Sequence, residues 1–360
     1  MPVGSTFGLA TQKKAIDLAL EHFLAGATLE LGAIDSNLRP ISAALTEFLA
    51  GGKRLRPLFA VAGFVGAGGS ADPTTLERIY KAVVSLELLQ ACALIHDDMM
   101  DGSDTRRGAP SIHRRFENEH RMRAGVGDSA TFGSAAALLL GDLALVLSTQ
   151  ALHQSGINAE QLRAVNPIFD TMKVELMAGQ YLDMYAGSRS GVSVDDALKI
   201  AIYKSGKYTI ERPLHFGGAL ALCPPELLQN YSDYGIPLGI AFQLRDDLLG
   251  VFGDASVTGK PAGDDILEGK RTALISYALE HLSPGEVSEF TAIFGNRSAT
   301  PTEIERMREL INTSGAVEFI EKIIEKKTTL ALEASKNQRI ASSGQELLAE
   351  LAIAATRRSA

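Results

Sequence analysis

Residues 76–100 carry apolar side chains at helical spacing for about seven turns, too long a run for a strand. The same period recurs over residues 129–153, 159–185, 194–220, 225–252 and 317–335, while alternating β-branched runs are scarce. A chain so patterned is committed to helices. The stretches 66–73 and 187–191 have the glycine, serine and proline chemistry of connections. Asp72 or Thr74, and Ser193, are placed to cap the helices that follow. Pro213 and Pro237 fall inside helical patterns, where each removes a backbone donor and kinks its helix. Several segments are apolar on more than one face, which predicts central helices wrapped by outer ones. No solenoid repeat and no linker divides the chain. The expectation is one all-α domain over residues 12–360, preceded by a flexible arm over residues 1–11.

With 46% hydrophobic residues in 360, such a domain can bury a large core, and the net charge of −8 argues against a nucleic-acid surface or a strongly basic membrane face. Cys92 and Cys223 form neither a disulfide framework nor a zinc spacing, so a reducing, cytoplasmic setting is expected. The amino terminus lacks a secretory pattern. The most apolar stretch, residues 134–147, is interrupted by Asp142 and too short to span a bilayer, so no transmembrane segment is expected.

At the end of the 76–100 run the apolar pattern gives way after His96 to Asp97, Asp98, Asp101 and Asp104. Asp97 and Asp101 stack on one helical face. Two ionised carboxylates so placed repel, more strongly beside apolar packing, and a divalent cation removes that cost. Every candidate ligand is a hard oxygen, which favours Mg2+ over zinc or copper. Taken alone, the cluster is equally open to a solvated acidic helix end, although aspartates there oppose the helix dipole. Arg106 and Arg107 follow at once. Guanidinium groups beside metal-holding carboxylates suit a polyanion whose oxygens bridge both, and they favour the metal.

Downstream, Phe242-Gln243-Leu244-Arg245-Asp246-Asp247 repeats the device, and a loop then brings Lys260, Asp264 and Asp265. If the two acidic helix ends face one another across a bundle, they make a metal-lined mouth above an apolar interior. Three basic elements could complete it: the turn Gly51-Gly52-Lys53-Arg54-Leu55-Arg56-Pro57, Lys204 with Ser205, and Lys260. Singly, each reads more simply as surface charge. Beside two acidic clusters, that simpler account loses ground. His96 and His113 border these motifs without a partner at ligand spacing and read as hydrogen-bonded structural residues.

Taken in order from about residue 51 to 272, these motifs resemble the trans-prenyl diphosphate synthase (polyprenyl synthetase) family, and within it geranylgeranyl diphosphate synthases most. The matching segments are GGKRLRP, the DDxxD of Asp97-Asp98-Met99-Met100-Asp101, RRGAP, GQYLD, Lys204-Ser205, FQLRDD and TGKPAGDD. The resemblance implies an isoprenoid synthase fold, a single helical bundle around a deep apolar cavity, assembled as a homodimer. It implies head-to-tail condensation of isopentenyl diphosphate with dimethylallyl, geranyl or farnesyl diphosphate, assisted by about three Mg2+ ions. By the same resemblance, Asp97 and Asp101 hold two ions and Asp246 the third, with Asp264 acting through water. Arg106, Lys204 and Lys260 form the clamp on the allylic diphosphate, with Ser205, Phe242 and Gln243 beside it and Tyr208 lining the site. Lys53, Arg56, Gln90 and Arg107 form the isopentenyl diphosphate pocket, and Gln180 and Asp183 lie in the GQxLD segment. Gly250 stands where a third aspartate of the second motif is common. A looser second metal shell with retained activity is expected, because Asp246 and Asp264 remain.

The allylic tail is expected to run down beside the helix carrying Asp97. Ala93 and Cys92 stand four and five residues earlier, about 6–8 Å below it. Family members that stop at farnesyl usually carry an aromatic there. Small side chains imply a product longer than C15, with C20 geranylgeranyl diphosphate first. Leu89 and residues 134–140 are candidates for the floor. C25 and longer products, or farnesyl, stand as alternatives. A class I terpene cyclase would not need the second diphosphate pocket, and non-catalytic subunits of heteromeric synthases generally lack an acidic motif. The terminal Arg357-Arg358 pair reads as a solvated tail.

Overall fold

A computed structural model describes residues 7–189, 191–253 and 263–356. The elements run α1 (Leu9–Ile34), a 3-10 turn (Ser36–Leu38), α2 (Arg39–Leu49), α3 (Leu55–Gly66), α4 (Pro73–Met100), a two-stranded hairpin of β1 (Thr105–Arg106) and β2 (Ala109–Pro110), α5 (Ile112–Met122) and α6 (Ser129–His153). They continue with α7 (Ala159–Gly187), α8 (Val194–Ala201), a π-helical segment (Ile202–Glu211), α9 (Arg212–Leu220), α10 (Pro225–Phe252) and α11 (Asp264–Glu268). The last are α12 (Ala273–His281), α13 (Pro284–Ile293), α14 (Pro301–Thr313), α15 (Ala316–Ala334) and α16 (Ser342–Thr356). The all-α expectation holds.

Helix starts follow the side chains able to cap them. Asp72 accepts from Thr75 N at 3.0 Å and opens α4, with Pro73 in the first turn. Ser193 accepts from Asp196 N at 3.1 Å and opens α8. Ser283 and Thr300 close capping boxes with Glu286 and Glu303 at the heads of α13 and α14. Two sequence expectations need correction. The 194–220 run is not one α-helix, since its middle ten residues are π-helical and Pro213 stands just beyond them at the start of α9. Residues 9–11, expected within a flexible arm over residues 1–11, are already helical in α1, and residues 1–6 lie outside the described residues. A third proline, Pro167, sits inside α7, as Pro237 does inside α10.

The chain groups into two compact units, Met1–Asn166 with Gly217–Leu222, and Pro167–Phe216 with Cys223–Ala360. In the first, α4 packs against α1, α3 and α6, and α5 lies on α6. Its core includes Leu20, Leu24, Leu45, Val84, Leu88, Ile95, Phe116, Leu140 and Leu147. In the second, α10 packs against the π segment, α15 and α16 around Leu244, Leu248, Val251, Leu274, Phe290 and Ile320. By length and composition α4 and α6 could each cross a membrane, so α6 exceeds the short stretch expected at residues 134–147. In the fold α6 turns Gly133, Ala137, Leu140, Gly141 and Ala144 inward and leaves Phe132, Leu138, Leu139 and Val146 exposed.

Candidate active site

In the first unit the Gly-Gly-Lys-Arg turn is built around one buried arginine. Gly51 and Gly52 have φ of 73° and 88°, the left-handed region that a side chain would strain. Arg54 takes φ of 53° and caps α3. Its guanidinium is buried and each of its three nitrogens donates, to Asp17 Oδ1 at 2.7 Å, Glu87 Oε2 at 2.7 Å and the Leu49 carbonyl at 2.6 Å. Arg54 therefore anchors the turn, while Lys53 is exposed and Arg56 half-buried on either side of it.

Asp97 and Asp101 sit at the last turn of α4, Asp101 as its C-cap, both half-buried. Asp98, to which the sequence assigned no role, is only 1% exposed and receives Arg106 in a two-bond fork, Nε to Oδ2 at 2.7 Å and Nη2 to Oδ1 at 2.6 Å. Arg106 Nη2 also lies 3.8 Å from Asp97 Oδ2. Burial opposes the Arg106 cation, but the Asp98 bonds and the charges of Asp97 and Asp101 outweigh it and raise its pKa. Among the described residues its Nη1 has no partner. Arg107 stands in contrast. It takes φ of 54° on the hairpin and pairs with no acceptor among the described residues. Its guanidinium and that of Arg54 both come 3.4 Å from where a Cβ on Gly52 would lie. Burial first, and then the like charges of Arg106 and Arg54, depress its pKa, with Glu87 offsetting part. An unpaired cation held among cations is a seat for an anion.

Below this lies the helix face expected to set product length, and the two small residues differ. Cys92 is fully buried in the cluster shared with Ala137, Leu140 and Ala144 of α6. Its Sγ lies 3.8 Å from His96 Nδ1, and burial pushes its pKa up to about 11. His96 Nε2 meets the Leu138 carbonyl at 3.2 Å and His113 Nδ1 meets Ser111 Oγ at 3.2 Å, the structural roles expected of both. Ala93 lies outside that cluster, one turn below Asp97, and is half-buried, as is Gln90. Leu89 is fully buried. The residue-wide level at Ala93, rather than Cys92, is the accessible one.

In the second unit Lys204, Ser205 and the buried Tyr208 lie on the π segment. Lys204 Nζ donates to Asp183 Oδ2 at 2.6 Å, so the GQYLD segment of α7, with half-buried Gln180, meets the Lys-Ser pair. On α10, Phe242 is buried and Gln243 donates to Asp247 Oδ1 at 2.7 Å. Burial first, and then the charges of Asp265, Asp246 and Asp183, hold Asp247 well above the usual carboxylate range. Asp246 is half-buried, and Asp264 is the first residue of α11. Asp265 is the finding that sequence reasoning missed. A Cβ at position 250 would overlap its carboxylate, so Asp265 occupies the space an aspartate side chain at 250 would enter. Lys260 and Arg357-Arg358 lie outside the described residues.

All of these donors are oxygens, and among the described residues no three carboxylate, imidazole or thiol groups come together to cage an ion. Such a set fits Mg2+, which takes one or two carboxylates and completes its shell with water and substrate phosphate. The residues able to hold it are Asp97 and Asp101 in the first unit and Asp246 with Asp265 in the second.

The chain is similar to known proteins over most of its length. A family model described as polyprenyl synthetase matches residues 39–311. The geranylgeranyl diphosphate synthase of Saccharolobus solfataricus is 30% identical over 304 residues, covering 83% of this chain and 84% of that protein. The octaprenyl diphosphate synthase of Escherichia coli is 29% identical over 286 residues, 79% of each chain. A solved geranylgeranyl pyrophosphate synthase from Corynebacterium glutamicum, complexed with isoprenyl diphosphate and magnesium, matches with a TM-score of 0.93 and 41% identity over 98% of this chain and 99% of that one. The helical architecture is thus the isoprenoid synthase fold. The chain belongs to the polyprenyl synthetase family and is a trans-prenyltransferase.

Proposed function

We propose that the enzyme condenses isopentenyl diphosphate head-to-tail with dimethylallyl, geranyl or farnesyl diphosphate and releases geranylgeranyl diphosphate. The observation carrying the two-substrate reading is the contrast between Arg106 and Arg107. Arg106 is pinned by Asp98 beside Asp97 and keeps one nitrogen open, as a clamp on a metal-bound allylic diphosphate requires. Arg107 pairs with no carboxylate among the described residues and lies beside the glycine turn, as an isopentenyl diphosphate seat requires, with Lys53, Arg56 and Gln90 assigned to the same seat.

Mg2+ bound at the acidic clusters would draw off the negative charge that grows on the departing diphosphate. Asp97 and Asp101 would hold the metal against the allylic diphosphate, and the residues assigned to its clamp are Arg106 in the first unit and Lys204, Ser205, Tyr208, Phe242 and Gln243 in the second, with Lys260. Asp246 is assigned to the second cluster, with Asp265 beside Gly250 and Asp264, assigned a water-mediated contact, next to it at the head of α11. The allylic carbon–oxygen bond ionises, the isopentenyl double bond attacks, and the released diphosphate takes the proton. No side chain is required as a base. Apolar walls keep water from the cation. The half-buried Ala93 leaves the tail room below Asp97 and supports a product beyond C15.

A homodimer suits the apolar stripe that α6 leaves exposed at Phe132, Leu138, Leu139 and Val146. Incubating the purified chain with Mg2+, isopentenyl diphosphate and each allylic diphosphate in turn, then sizing the dephosphorylated products, tests the assignment. Hydrocarbon formed from geranylgeranyl diphosphate alone would instead identify a cyclase.

A further inference from the structure

Six polar side chains of the second unit close a ring around the π segment. Glu175 on α7 accepts from Arg212 Nε at 2.6 Å and from Arg212 Nη2 at 2.7 Å. Arg212 Nη1 lies 3.1 Å from His215 Nδ1, and His215 Nε2 lies 3.0 Å from Ser232 Oγ on α10. Ser232 donates to Glu211 Oε1 at 2.6 Å. Lys207 sits 3.7 Å from Glu211 Oε2 and donates to Glu175 Oε1 at 3.1 Å, which completes the circuit. Two cations balance two carboxylates. Arg212 donates to His215 Nδ1, so the imidazole proton stands on Nε2, which also faces the Leu228 carbonyl at 2.9 Å. Glu211 and His215 are buried, and no step of the condensation uses any of the six.

The segment they surround is an expensive one. A ten-residue π-helix is rare and persists only where tertiary structure holds it. Backbone contacts supply part of that hold. A Cβ on Gly179 of α7 would come 2.6 Å from Lys204 N, one on Gly235 of α10 2.8 Å from Glu211 Cα, and one on Gly239 would overlap Gly206 Cα. Both neighbouring helices are smooth where the π segment lies against them. Reversion to α-helical bonding would turn the side chains by about one residue, roughly 100° around the axis. That rotation would carry Lys204 away from Asp183.

We propose that the Glu175–Arg212–His215–Ser232–Glu211–Lys207 ring is a positioning device that locks the π segment and so fixes Lys204, Ser205 and Tyr208 for the allylic diphosphate. The inference rests on the assignment of Lys204 to that substrate. It is specific to one of the two substrates, because the isopentenyl diphosphate residues Lys53, Arg56, Gln90 and Arg107 belong to the other unit.

The test compares Glu211→Gln, Ser232→Ala and Ser232→Thr with wild type in the full-length chain. Titration calorimetry with geranyl diphosphate and Mg2+, and separately with isopentenyl diphosphate, is read beside steady-state KM values and thermal melting. Loss of one bond to a charged group predicts about ten-fold weaker allylic binding in Glu211→Gln and Ser232→Ala, with isopentenyl diphosphate binding held within about two-fold. Ser232→Thr keeps the hydroxyl and should bind like wild type. Unchanged allylic binding, an equal loss for both substrates, or Ser232→Thr behaving as Ser232→Ala would overturn the proposal while leaving the reaction assignment intact. The serine pair removes only a hydroxyl, so it keeps the test decisive even if Glu211→Gln does not fold. A wild-type chain that binds no allylic diphosphate would overturn the site assignment and the proposal together.

Discussion

At the scale of single residues, neighbours in sequence have opposite environments, and that opposition sets what each can do. Arg106 has a carboxylate fork, and Arg107 has none among the described residues. Replacing Arg107 by Met should therefore leave thermal stability unchanged or slightly raised, since a cation among cations is removed. Its loss should raise KM for isopentenyl diphosphate about ten-fold or more, the size of a lost charge-assisted bond, with KM for the allylic substrate little changed. Cys92 and Ala93 diverge in the same way. Ala93→Phe should shorten the product, seen as a shift in chain length on chromatography. Cys92→Phe forces bulk into the α4–α6 core and should cost about 1–3 kcal/mol of stability in a denaturant melt. Asp265→Asn should raise the Mg2+ concentration needed for half-maximal rate, because Asp265 fills the space beside Gly250; an unchanged Mg2+ requirement would assign that role elsewhere. Asp97, Asp101 and Arg107 are legible in the sequence because a helical period and a short motif place them. Asp98 and Asp265 are not. Asp98's role depends on where the hairpin returns Arg106, and Asp265's on how α11 packs against α10, and neither contact has a local signature.

At the scale of elements, the helices of 129–153 and 225–252 match their sequence patterns to the residue, because the apolar period agrees with Asp128 capping the first and Pro225 opening the second. The π segment within 194–220 escapes that logic. No local residue signal separates ten π-helical residues from α-helical ones, and the difference lies in what the flanking helices permit. A sequence clue does exist in the glycines four apart, Gly235 and Gly239, together with Gly179. Gly239→Ala would place a methyl group on Gly206 Cα, so it should destabilise the protein by about 1–3 kcal/mol and lower allylic turnover, measured by melting and by initial rates. The same change on an exposed helical face, where glycine is the poorer helix former, would stabilise.

At the scale of the whole molecule, the acidic helix end and the arginine pair of the first unit, and the π-borne lysine with the aspartates of the second, each have the chemistry of a diphosphate site. On the proposed assignment, the isopentenyl diphosphate residues fall in the first unit together with Asp97, Asp101 and Arg106, and Lys204, Ser205 and Tyr208 fall in the second. The fold and the reaction class are readable from motif order along the chain, whereas product length depends on the level at which side chains close below Asp97. The decisive measurement is product size. Purified enzyme with Mg2+, isopentenyl diphosphate and farnesyl diphosphate should yield a C20 alcohol after phosphatase treatment, and Ala93→Phe should move the product from a dimethylallyl primer toward C15. Failure to extend farnesyl diphosphate, or a wild-type product that stops at C15, would contradict the open level at Ala93 and the synthesis of geranylgeranyl diphosphate with it.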